Sequence, residues 1–198
     1  MIDRPTFDLI KQRHGSYASW AIWAEPDGRP KSNIGDLCVL DPDQNPVLLQ
    51  ALKNDVVMIG LNISRPLSEP LRNFHDASPR GQDYKIRYAF SDSPLYGAYM
   101  TDLIKGVVML ESASLTHYLS MNPFVVAQNV ERLMSEFSDL GCDHPTVITF
   151  GANAHRLFIA SVPRSGYSRL FGVTHYSHHI SKEAYRTTVL GQIGLGQA

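Results

Sequence analysis

Asn62 stands just beyond an apolar run, Val56-Val57-Met58-Ile59, that stops at Gly60. An amide in that place either closes a turn or offers a donor and an acceptor to a ligand. Three further apolar runs end in the same manner. Their ends carry Thr101-Asp102, Gly151-Ala152-Asn153 and His175-Tyr176-Ser177. Hydrogen-bonding side chains beside small residues are what a recognition site needs. Other chemistries find less support. His175, His178 and His179 read H-x-x-H-H, without the helical i, i+4 pair of a hydrolytic zinc site, and His144 lies elsewhere. Two cysteines, Cys38 and Cys142, are too few for an iron–sulfur cluster. No phosphate-binding glycine loop and no G-x-S-x-G nucleophile turn is present. The expectation is a site with no metal and no cofactor.

The elements that must position these residues are legible in outline. Four short apolar, β-branched segments predict buried parallel strands at 56–60, 98–104, 146–151 and 169–175. Helical spacing of Val126, Val130, Leu133 and Phe137 predicts a helix over 123–140, with Asn122 as its cap, Pro123 in its first turn and Gly141 at its end. Shorter helices are expected near 5–13, 46–54, 152–160 and 181–193, the last capped by Ser181. Alternation of strand and helix implies an α/β fold with helices on both faces of the sheet. Residues 17–24 suit an extra edge strand, and 25–36 a turn-rich exposed loop. Residues 64–88 hold three prolines and little periodicity, so a long functional loop is expected there. In open parallel sheets, ligands bind beyond the carboxyl ends of the strands, where the four polar endings converge.

Composition bounds the rest. The chain has 198 residues, 43% hydrophobic and 19% charged, which suits one domain with a real core. We expect a core over 46–198 and an N-terminal extension over 1–45 packed on it. No apolar run has the roughly 20 residues of a bilayer span, and the N-terminus has no apolar leader core. A reduced, cytoplasmic monomer is expected. Net charge is −1, yet residues 151–198 hold five Lys/Arg against Glu183 alone. That distribution suits a local phosphate contact rather than indiscriminate nucleic-acid binding.

The order of these pieces, over roughly residues 50–193, resembles the uracil-DNA glycosylase superfamily. It is most similar to the asparagine-type members, the mismatch-specific and single-strand-selective enzymes. Their G-x-N-P-G matches Gly60-Leu61-Asn62-Ile63-Ser64; their N-x-F aromatic, Asn73-Phe74; their "ITN" strand, Met100-Thr101-Asp102. An apolar strand ending in glycine and running into a helix matches residues 147–158, and the last H-P-S motif matches His175-Tyr176-Ser177. The resemblance implies a three-layer α/β/α sandwich around a four-stranded parallel sheet. It also implies hydrolysis of the N-glycosidic bond of an extruded or single-stranded nucleotide in DNA, single-stranded or mismatched.

It implies roles as well. Asn62 would hold the attacking water and His175 would stabilise the leaving base. Gly60, Leu61, Phe74 and Asp102 would line the base pocket, with Phe74 stacking on the base. Ser64, Ser177, Lys182 and the helix N-terminus near Ser181 would grip phosphates. Departures qualify this. Ile63, Ser64 and Tyr176 replace proline, glycine and proline. Tyr176 either wedges into the gap left by a flipped base or blocks the site. Asp102 replaces an amide; a carboxylate only accepts, so a base with an exocyclic amine fits better than uracil, as does a protonated Asp102. Two alternatives remain: a nucleic-acid or nucleobase binding module without hydrolysis, and a hydrolase of free nucleosides.

Overall fold

The computed structural model describes residues 2–26, 35–65, 67–76, 78 and 81–196. The loop expected over 25–36 lies mostly outside them. Five strands form one mixed sheet: β1 (Ser19–Trp20), β2 (Val56–Asn62), β3 (Tyr99–Ile104), β4 (Thr146–Phe150) and β5 (Arg169–Val173). Their order is β1-β3-β2-β4-β5. β3, β2, β4 and β5 run parallel, as their unbroken apolar composition predicts. The fifth strand corrects the expectation of a four-stranded parallel sheet. β1 pairs antiparallel with β3, and the Ala21 amide extends the pairing to the Ala98 carbonyl at 2.8 Å.

Side chains alternate along β2. Val57 and Ile59 enter one apolar cluster and Met58 enters the other. The first cluster takes Phe7 and Ile10 of α1 (Arg4–His14), Leu115 and Leu119 of α4 (Ser112–Met121), Leu133 and Phe137 of α5 (Pro123–Asp139) and Phe158 of α6 (Ala152–Ser161). α2 (Leu48–Ala51) adds Leu48 to it. The second takes Ile86 and Phe90 of α3 (Tyr84–Phe90), and Tyr185 and Val189 of α7 (Lys182–Gln192). Helices therefore cover both faces of the sheet.

Several helices differ from expectation for local reasons. α5 buries Val125, Asn129, Leu133, Glu136 and Phe137, a stripe turned slightly from the one the apolar residues alone predict. Its two polar members have partners: Asn129 Oδ1 accepts from the Lys105 amide at 2.7 Å, and Glu136 pairs with the Lys105 ammonium. Asn122 does not cap α5; its Nδ2 donates to the Tyr118 carbonyl and closes α4 instead. Ser181 does cap α7, its Oγ accepting from the Ala184 amide at 3.1 Å. α3 begins inside the stretch expected to be loop and runs two residues past it, and α4 was not expected. The N-terminal segment is structural: Phe7, Ile10, Trp20 and Ile22 are at most 1% exposed. Among the described residues, no helix is long and apolar enough to cross a membrane.

Candidate active site

The carboxyl ends of β2, β3, β4 and β5 open onto a cavity of about 530 Å³, within the range of about 300–1,000 Å³ usual for small-molecule sites. Asn62, Asp102, Phe150, His175 and Tyr176 line it, so residues distant along the chain meet at one rim. Asn62 ends β2. Its Nδ2 donates to the carbonyls of Val107 and Met109 at 3.2 and 2.9 Å, and to Ile63 O at 3.1 Å. Three carbonyl acceptors fix which end of the amide is nitrogen. Oδ1 is left with no donor among the described residues.

His175 follows β5. Its Nδ1 accepts from the Ser177 amide at 3.1 Å and lies 2.8 Å from Ser177 Oγ. A backbone amide only donates, so the ring proton of the neutral imidazole sits on Nε2. Burial pushes the His175 pKa down to about 4, which keeps the ring neutral at physiological pH. The ring stacks on Tyr176, centroids 4.2 Å apart. Gly151 allows this packing: it has φ 86°, and a Cβ there would stand 3.1 Å from that of His175. α6 starts at the next residue without a side-chain cap, and Ala152, Asn153 and Ala154 line the cavity with its positive end.

Gly60 pairs with Asp102 across the sheet. A Cβ on Gly60 would come within 2.2 Å of Asp102 Oδ1 and 3.1 Å of Phe74 Cζ. Glycine lets both groups close over β2. Asp102 Oδ2 accepts from Asn73 Nδ2 at 2.7 Å. Burial pushes the Asp102 pKa up to about 7, against the Asn73 donor and the Lys105 charge, while Glu136 and Asp83 push it further up.

The structure moves three residues, Gly60, Phe74 and Lys182, none of which lines the cavity. Phe74 is 4% exposed, at φ 61°, and belongs to the second apolar cluster. It is absent from that cavity and lines a smaller cleft of about 60 Å³ with Asn62, Asp102 and Tyr176. Tyr176 covers it edge-on at 6.2 Å and meets Phe150 at 5.7 Å. The aromatic ring open to a ligand is therefore Tyr176, not Phe74; Phe150 is 1% exposed and packs against it. Tyr176 lies beside the cavity and leaves it open. Leu61 and Ser64 also line it, and Ser177 shares its wall with His175. Lys182 lines no cavity there: its ammonium lies 3.8 Å from the Tyr88 ring centroid and 3.2 Å from Glu183.

Sequence reasoning missed two carboxyl groups in the cavity, Asp76 and Asp83. Burial pushes Asp83 up to about 6, offset by the Asp76 amide, which donates to Asp83 Oδ2 at 2.7 Å. Burial alone would also raise Asp76, but Arg65 and Ser78 hold it below the ordinary carboxylate range. Only the length of the 64–88 loop hinted at them. No protein-family model, curated protein or solved structure matches this chain. Among the described residues, no three His, Cys, Asp or Glu side chains are placed to hold a metal ion. The arrangement offers an oriented amide oxygen, a neutral imidazole N–H, an aromatic wall and buried carboxyls around one cavity.

Proposed function

We propose that this chain is a metal-independent DNA glycosylase of the uracil-DNA glycosylase type, built as a three-layer α/β/α sandwich. It hydrolyses the N-glycosidic bond of a modified or mispaired base. Asn62 Oδ1 orients the attacking water, and the His175 Nε2–H donates to the atom of the departing base on which charge gathers. Tyr176 packs against the extruded base. One observation carries this reading: Asn62 and His175 line the same cavity, each with one polar atom committed to backbone and a complementary one left over.

The test is excision from oligonucleotides carrying uracil, hypoxanthine, xanthine or an alkylated base, read as alkali-labile strand breaks. His175→Ala is expected to lower the rate about 10²–10³-fold, the usual loss for one oxyanion donor. Asn62→Ala is expected to lower it at least about 10²-fold. Both variants are checked for a cooperative melt. Product formation undiminished in either variant sinks the mechanism. A second reading has its own support in the Tyr176 ring lying over Phe74, where the resemblance places the base. It is a nucleobase-binding module without hydrolysis. Tight binding to base-modified DNA with no breaks after long incubation would favour it.

A further inference from the structure

Two carboxyl groups face the cavity in an unusual state of burial: Asp83 is 7% exposed and Asp102 is 3%. Each has one oxygen occupied, Asp83 Oδ2 by the Asp76 amide and Asp102 Oδ2 by Asn73 Nδ2. The second oxygen of each has no donor among the described residues. Asp76 adds a third carboxylate at the same wall, itself paired with Arg65. The spare oxygens of Asp83 and Asp102 stand on the cavity wall as acceptors that a ligand's N–H groups can meet. Uracil answers poorly, because its one N–H, at N3, stands between two carbonyl oxygens that a carboxylate repels. A ring-alkylated adenine or cytosine answers well. It carries positive charge and exocyclic N–H together, and its cation also suits the face of an aromatic ring such as Tyr176.

We propose that this cavity selects a positively charged, amino-bearing nucleobase, held by Asp83 and Asp102, in preference to neutral uracil. The inference rests on the glycosidase reading of the same cavity and names its substrate class. The reaction balances without an acid. Water oxygen bonds to the sugar carbon and releases a proton to solvent. The glycosidic bond breaks, and the cationic base leaves as a neutral molecule with the bonding electron pair. A leaving group already charged needs no protonation, which matches an imidazole held neutral.

Calorimetric titration of the full chain with 1-methyladenosine, 3-methylcytidine and uridine tests the selectivity. Excision from oligonucleotides carrying 1-methyladenine, 3-methylcytosine or uracil tests the chemistry. The cationic nucleosides are expected to bind at least about tenfold more tightly than uridine. Asp83→Asn and Asp102→Asn are each expected to remove about tenfold of that ratio. Both keep the acceptor oxygen that the protein uses, so both are expected to fold. Asp143→Asn, a matched charge change before β4, is expected to leave the ratio intact. Equal affinities, or a preference unchanged in both cavity variants, overturns the proposal. Cation preference without excision keeps the selectivity and removes the hydrolytic reading. Faster excision of uracil than of the cations does the reverse.

Discussion

Gly60 lacks a side chain where Asp102 needs the room, and that exchange leaves a carboxyl group in an almost closed space. The folded-state pKa of about 7 lies above the ordinary carboxylate value, so folding tightens the proton on Asp102. Stability from this group is complete below about pH 4 and declines as pH rises through about 7. Asp102→Asn removes the charge and keeps the acceptor for Asn73. It is expected to leave stability near the parent at pH 3 and to raise it at pH 8. The gain is on the order of 4 kcal/mol at most, for a shift of about three pKa units. Thermal melts at the two pH values measure it, and an equal effect at both contradicts the assignment. Asn62 and His175 were legible because each stands at the end of an apolar run. Asp83 was not: an acid in a proline-rich stretch reads as solvated, and only the tertiary fold closes that stretch over the strand ends.

The strands were the most legible elements, since unbroken apolar runs such as Tyr99-Met100 and Val147-Ile148 admit few other uses. α3 was hidden because Lys85 and Arg87, both buried, break its apolar pattern. α4 was hidden by weak amphipathicity in Ser-Ala-Ser-Leu-Thr-His. The turn of α5 depends on Asn129 and Glu136, whose burial is explained only by a residue just past β3. Lys105 donates its amide to Asn129 and its ammonium to Glu136, while the Tyr99 hydroxyl donates to Glu136 at 2.7 Å. Lys105 and Glu136 are both nearly inaccessible, at 1% and 0% of their side chains. Lys105→Met leaves Glu136 buried without its cation. Equilibrium urea unfolding is expected to show a loss of about 3–5 kcal/mol, the cost of breaking such a pair on one side. A loss below 1 kcal/mol would mean that the network does not join β3 to α5.

At the scale of the molecule, the first segment of the chain closes the fold. Phe7, Ile10, Trp20, Ile22 and Trp23 are each at most 5% exposed, and β1 seals one edge of the sheet. Five such side chains at about 1.5–3 kcal/mol each match the net stability of about 5–15 kcal/mol usual for a whole domain. Deletion of residues 1–23 is therefore expected to abolish the cooperative transition in circular dichroism; a sharp melt would show that the remainder folds by itself. The carboxyls in the cavity have an effect that reaches past base choice. On the proposed reading, a free nucleotide would bring its phosphate to the entrance with its base, and the carboxyls would oppose it. In a polymer the phosphates would stay outside while an uncharged or cationic base swings inward. The same wall would thus help to sort strand-borne bases from the dissolved nucleotide pool before any contact with the ring is made.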